Sequence, residues 1–306
     1  MIEFNWIFAV IVGAVVLFLA IFFVGKLTST TNYLSETELA KNFGILLNPF
    51  ASIGGIGKVS LAKTIDMPQT IQINQTCDVK ENRITMRLRS ESSLGKKWGE
   101  WSAPNQIYNK YIFSSSFMEG KSFDVLSKSF EMPFRVDDTI YILDKDYCFV
   151  NAPSNIKEEL EWINLTKVKF VSSSSSCKIA SLKVCFDASC DIKVSGQCAS
   201  GCTNKYEYGT VQKSGKTLDY ATSSLMYAAI FSDSAMYNCE VSRLTARLKS
   251  IAGILKQKAA RLSGCPVTDL VSKLSDLESA SSSSIINIYK ISQQVNMANP
   301  IECPIF

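Results

Sequence analysis

The chain contains no histidine among its 306 residues. That absence removes the side chain that most often serves as general base near neutral pH and as transition-metal ligand. It excludes hydrolases of the Ser-His-Asp type and His-ligated zinc enzymes. Charge of one sign is also scarce: 32 basic and 28 acidic residues leave a formal net charge of +4. No run of Lys or Arg concentrates the field of a nucleic-acid binder, so nucleic acid is not an expected partner. There is no Cys-x-x-Cys pair, which leaves a thioredoxin-like redox role without support. The string GGIGKVS matches a phosphate-binding loop only in part: Ser52 stands where the first glycine belongs, and Val59 where a hydroxyl would hold magnesium. From motifs of this kind no catalytic residue, no cofactor and no metal site is expected.

Long uncharged runs, by contrast, are present once. Residues 6–24 read WIFAVIVGAVVLFLAIFFV, nineteen positions without a charge. At 1.5 Å per residue they rise about 28 Å, close to the hydrocarbon thickness of a bilayer. Trp6 and Lys26 are residue types expected at its two edges. The start MIEFN lacks the basic region of a signal peptide and VGKLTS is a poor cleavage site, so an uncleaved anchor is expected. The Ala9 and Gly13 spacing is a small-xxx-small pattern able to seat a second helix.

Sidedness rests on conflicting signals. Lys26 and Lys41 after the run lean toward a cytoplasmic domain by the positive-inside rule. Against them stand ten cysteines at 77, 148, 177, 185, 190, 198, 202, 239, 265 and 303, an even number that suits disulfides in an oxidising compartment. Two acceptor sequons, at Asn74 and Asn164, agree with export and glycosylation. A four-thiolate zinc site at Cys185, Cys190, Cys198 and Cys202 is the rival reading, but the spacings do not form two short knuckles around a longer loop. The expectation is a single-pass protein of the cell membrane whose C-terminal domain is extracytoplasmic.

After the run, Ser35 and Glu38 form a capping box, with Leu34 and Leu39 at the staple positions, which predicts a short helix over 36–47. Between 58 and 221 short β-branched and aromatic segments predict strands at 59–65, 70–76, 83–88, 111–115, 123–127, 139–143, 167–171, 182–186 and 206–211. Pro153 and SNIKEELEW predict one helix within that region. The C-terminal quarter changes period. Val241, Leu244, Leu248, Ile251, Leu255 and Leu262 make an apolar seam, which resumes after Ser263-Gly264-Cys265-Pro266 with Val267, Leu270, Leu274, Leu277, Ile288, Ile291, Val295 and Ala298. Two helices of about thirty residues would lie antiparallel as a hairpin about 45 Å long. That arrangement brings Cys239 close to Cys303 and predicts a disulfide between them at the hairpin's base.

Trp98 and Trp101, preceded by Lys96 and Lys97, pack on a sheet face or form an exposed stacking surface for a sugar or a partner side chain. Asp137-Asp138 and Asp144-Lys145-Asp146 offer the paired carboxylates of calcium sites and glycosidases without the accompanying loop, and read as turn residues. Ser-rich stretches supply hydroxyls without a base to activate one.

The segments NWIFAVIVGA, YIFSSSFMEGKSFDVLSKSFEMPFRVDDTIY and LMYAAIFSDSAMYNCEVSRL resemble membrane-anchored envelope proteins of small-genome archaea of the DPANN group. The resemblance implies an archaeal envelope setting and carries no catalytic residue. The hydrophobic start, with Glu3 before it, also resembles an archaeal type IV pilin helix, although no basic leader or processing site precedes the run.

Together these readings give an α+β chain. A transmembrane anchor is expected at 1–26, a short helix and linker at 27–57, a β-rich domain with one short helix at 58–221, and an antiparallel long helical hairpin at 222–306. The expected function is that of a non-enzymatic, membrane-anchored surface protein for partner binding, adhesion or envelope assembly. Its partners would be a membrane through residues 6–24 and a protein or further copies of itself. The alternatives are a pilin-like filament subunit and an envelope hydrolase acting through carboxylates.

Overall fold

In the computed structural model, residues 4–49, 59–91, 97–198, 205–281 and 284–306 are described. Within helix α1 (Phe4–Leu46) the side chains described are those of 10–20 and 36–46, and within strand β1 (Val59–Asp78) those from 61 onward. Among the described residues no helix is long and apolar enough to cross a membrane, which overturns the expected transmembrane helix. The apolar stretch with described side chains covers eleven residues, 10–20. It rises about 16 Å against a hydrocarbon core of about 30 Å. The remainder of 6–24 lies outside the described side chains. Nor does the chain break at the polar KLTSTTNY: α1 is continuous over 43 residues, and the helix expected at 36–47 is its last three turns. Extending an existing helix is easier than nucleating a new one, and no proline interrupts the polar stretch, so the capping box at Ser35 is bypassed.

Those last turns give α1 its place in the domain. Ala40, Phe43 and Leu47, spaced three and four apart, are buried against a six-stranded sheet. Besides β1 this sheet contains β2 (Arg83–Ser90), β3 (Asn105–Tyr108), β4 (Tyr111–Phe113), β5 (Phe117–Glu131) and β6 (Arg135–Leu143), in the order β3-β2-β1-β5-β6-β4. Pairing is antiparallel except between β4 and β6. The strands expected at 59–65 and 70–76 are one strand. Pro68 falls where the β1–β5 register shifts, between Asp66 and Ile71, the position a residue without an N–H tolerates. The inner strands are buried on both faces, and alternation sorts them: Ile140 and Ile142 join the α1 side, Tyr141 and Leu143 the opposite side.

A second six-stranded sheet, in the order β12-β11-β10-β9-β7-β8, follows in the chain. Strand β7 (Tyr147–Val150), helix α2 (Ser154–Trp162) and β8 (Val168–Val171) form a parallel crossover unit. Strands β9 (Leu182–Phe186) and β10 (Ile192–Gln197) continue in parallel, and β11 (Tyr208–Lys213) and β12 (Lys216–Ala221) close the sheet as an antiparallel hairpin. Sequence patterning misses β3, β7, β10 and β12. The first two are only four residues long, and the others lie beside turn residues that dilute their period.

Helix α3 (Thr222–Phe231), also missed, is the centre of the larger core: Ser224 through Phe231 are all buried. It contacts β4, β5 and β6 on one side and β11 and β12 on the other. Helix α4 (Ser234–Ala260) then crosses the first sheet, touching β1, β4 and β6.

The expected hairpin is corrected. Its first limb is α4, but the return limb is broken into α5 (Thr268–Ser279) and α6 (Ile285–Ala298). The break falls at the serines that interrupt the seam, with Ala280 ending α5 and the Ser284 hydroxyl accepting from the Asn287 amide to start α6. Serine offers the backbone local hydrogen bonds that compete with helix continuation. α5 packs on α4 and α6 packs on α5, so the chain reverses again and carries its C-terminal segment back to the α4–α5 turn. Cys303 therefore bonds Cys265, not Cys239, while Cys239 bonds Cys77 at the end of β1. Cys148–Cys177 and Cys185–Cys190 are also joined, and Cys198 is disulfide-bonded as well.

The Cys77–Cys239 bridge links positions 162 residues apart. Replacing both by Ser is expected to lower stability by up to about 5 kcal/mol through restored loop entropy, measured by urea unfolding. At the start of α4, Asp233 accepts amide hydrogen bonds from Ala235 and Met236 at 3.0 Å and from Ser116 at 2.5 Å. Burial works to raise its pKa, yet these donors outweigh it and hold the carboxyl below its ordinary 3.8. A depressed folded pKa means stability that is present above the ordinary value and lost as pH falls through the folded one. Asp233→Ala should cost about 1–2 kcal/mol near neutral pH, with the gap to the unmutated protein closing in acid.

Candidate functional site

Strand β2 places Ile84, Met86 and Leu88 in the core, which leaves Arg87 and Arg89 on the outer face. The segment after it is laid along β2: Gly99 and Ser102 donate their amides to Ser90 and Leu88 at 2.9 and 2.8 Å, and Trp98 bridges to Glu91. Trp98 and Trp101 thereby flank one arginine. The Arg89 guanidinium carbon lies 4.4 Å from the centroid of Trp101 and 5.5 Å from that of Trp98. Arg89 Nε donates to Gln72 Oε1, and Gln72 Nε2 to Glu119 Oε2, each at 2.7 Å. From α1, Glu36 accepts from the Ser90 amide at 3.0 Å and from its hydroxyl, and a Cβ on Gly99 would meet Glu36 Oε1 at 3.0 Å. Both tryptophans are half-buried, and a face of each ring is shared with Arg89. The site is a cation–π clamp on the outer sheet face. Lys97 beside it is exposed, and Lys96 lies outside the described residues.

The two sequon asparagines are both exposed: Asn74 on β1, opposite Arg87 and Phe117, and Asn164 in the turn after α2 at φ +50°. Asp137 and Asp138 belong to strand β6 and not to a turn. They do not face each other: Asp138 pairs with Arg135 at 2.8 Å and Asp137 lies 3.9 Å from Arg247 on α4. Burial raises the pKa of both carboxyls, an effect opposed by those arginines. Cys185 and Cys190, proposed rivals for zinc, are disulfide-bonded to each other, so their sulfurs are not thiolates. Among the described residues no group of three or more Cys, Asp or Glu gathers as a metal site.

Two buried ionic clusters escape sequence reasoning. Arg243 on α4 is buried and donates to both Glu240 carboxylate oxygens at 2.8 and 2.9 Å, to the Asn82 carbonyl at 3.0 Å and to the Lys110 carbonyl at 3.1 Å. It ties α4 to the β1–β2 turn. Burial pushes the Glu240 carboxyl up to about 8, against the pull of Arg243. Lys128 on β5 meets Glu159 on α2, and Glu159 accepts from the Tyr227 hydroxyl at 2.8 Å. The only sequence signal is an i,i+3 acid–base pair beside the apolar seam.

No protein family, curated protein or solved structure matches the chain.

Arg89→Ala removes both ring contacts and releases Gln72. It is expected to cost about 1–2 kcal/mol in chemical unfolding and to red-shift the tryptophan fluorescence as the rings gain water. Unchanged fluorescence would contradict the clamp.

Proposed function

We propose that the protein is a non-enzymatic surface protein of the cell envelope. It works outside the reducing cytosol, associates with a lipid surface through the apolar stretch at 6–24, and binds a protein partner or further copies of itself through its folded domain. The observation that carries it is oxidation: among the described residues no cysteine is free, and disulfides persist where thiols are not kept reduced.

Further support comes from the surface. Val10, Ile11, Val12 and the run from Val15 to Leu19 are exposed on α1, more contiguous apolar area than a soluble monomer ordinarily leaves to water. On the helical quarter, Ile254, Met297 and Ile301 are exposed apolar side chains of the type a partner covers. The exposed sequon asparagines, Asn74 and Asn164, are in reach of a glycosylating enzyme in such a compartment.

The test combines thiol trapping with flotation. Membranes prepared from the native host in the presence of an alkylating agent should yield protein with no alkylated cysteine until it is reduced. The purified chain should float with lipid vesicles, and Leu17→Asp/Phe18→Asp should remove flotation while leaving the disulfides intact. Recovery with all ten cysteines alkylated before reduction would overturn the extracytosolic reading.

A further inference from the structure

The hairpin β11–β12 turns through Ser214 and Gly215, at φ +49° and +70°, the two-residue turn that suits the twist of paired strands. That turn sets Lys213 directly opposite Lys216. Like charges in this position repel. Lys145, from the connection between β6 and β7, adds a third ammonium near enough to act on Lys213, and Lys193 on β10 adds a fourth nearby. The lysines line two adjoining hollows. One, of about 540 Å³, is walled by Lys145, Lys213, Lys216, Ser115 and Ser234. The other, of about 380 Å³, shares Lys213, Ser214 and Lys216 and adds Lys193.

The carboxylates here are held by backbone amides. Asp233 caps α4 as described, and Asp191 accepts from the Lys183 amide at 2.9 Å. Asp144, half-buried, lies beside Lys145 in the chain. The ammonium groups of Lys145, Lys193 and Lys216 make no hydrogen bond or close ion pair with a described residue, although the charge of Lys145 acts on the Asp144 carboxyl beside it. Lys213 donates to the carbonyls of Ile230, at 3.1 Å, and Ser232, which leaves one N–H of its three. Four ammonium groups thus surround a recess whose lining also carries the Asp191 and Asp233 carboxylates, which leaves positive charge in excess.

We propose that this cleft binds an anionic ligand through phosphate or carboxylate oxygens, with Lys145, Lys213 and Lys216 supplying the charge. Its larger hollow falls within the range of about 300–1,000 Å³ typical of small-molecule sites. The groups facing Lys213 are Asp233 from the α4 cap, Lys145, Asp191, Lys216 across the turn, and Tyr147 from β7, whose hydroxyl burial keeps neutral. Burial lowers the pKa of Lys213 to about 8, helped by Lys145 and opposed by Asp233. A bound anion favours the charged amine, so affinity falls as pH rises through that value.

Calorimetry of the full chain with inorganic pyrophosphate, at ionic strength fixed with chloride, tests this. Saturable binding is expected near neutral pH, weaker at about pH 9.5 where the unbound Lys213 is neutral. Lys145→Gln/Lys216→Gln should weaken it by about tenfold or more, since two charged contacts are lost. Lys80→Gln/Lys290→Gln, an equal loss of charge at exposed positions elsewhere, should leave it unchanged. Vesicles containing phosphatidic acid that displace pyrophosphate would assign the site to a lipid headgroup, and failure to displace it would assign a free anion. Absence of saturable binding, or equal weakening by both double variants, would overturn the proposal.

Discussion

Helix α3 imposes the constraint on which the remaining architecture depends. Residues 224–231 carry no charged side chain and are buried on every side. A helix apolar all round is stable only when covered all round, at about 1.5–3 kcal/mol for each large side chain. One sheet cannot do this, and the two sheets therefore lie on either side of it. Its ends must also be satisfied, because a buried helix cannot give its last carbonyls to water. At its C-terminal end the Ser232 hydroxyl donates to the Ala228 carbonyl and Lys213 donates to those of Ile230 and Ser232, while in the first turn the Ser224 carbonyl accepts from the Tyr141 hydroxyl. The lysine that seals α3 from below is thus the lysine whose charge opens onto the cleft, so core stability and surface potential meet in one side chain.

Around that centre the chain is fastened by contacts between residues far apart in sequence. The Cys77–Cys239 bridge and the buried Arg243 both pin α4 to the β1–β2 hairpin. Asp124, buried on β5, accepts from Thr64 on β1 and from Thr166 and the Lys167 amide just before β8, which connects the two sheets through one carboxylate. Buried charges of this kind are costly unless every oxygen finds a donor. Where they are satisfied they fix a single arrangement, as hydrophobic area alone does not.

The surface carries two kinds of feature with opposite chemistry. The exposed stretch of α1 is apolar, whereas the β11–β12 end of the second sheet is basic. The paired aspartates that suggested a hydrolase are engaged with separate arginines on different elements, and the tryptophans that suggested an open platform hold a guanidinium between them. Recognition of a partner, a lipid surface or an anion is the chemistry proposed for the apolar stretch and the lysine cleft.

Local pattern made a good part of this readable. The strand at 182–186 and the helix after Pro153 are present where period and capping put them, and α4 begins beside the residue expected. The unbroken seam failed at Ser281 and Ser284, where a heptad rule has no term for the serine hydroxyl's competing hydrogen bonds. α3 was illegible because a helix without a polar face has no amphipathic period to detect. Disulfide partners were decided by the reversal of α6 along α5, and the lysine cleft by a two-residue turn in a hairpin whose second strand gave no signal of its own. Sequence alone determined composition, the missing histidine chemistry and the local periods, because these are properties of neighbours along the chain. Tertiary structure decided pairing, burial and the gathering of charge, because those depend on which distant segments share a boundary with water.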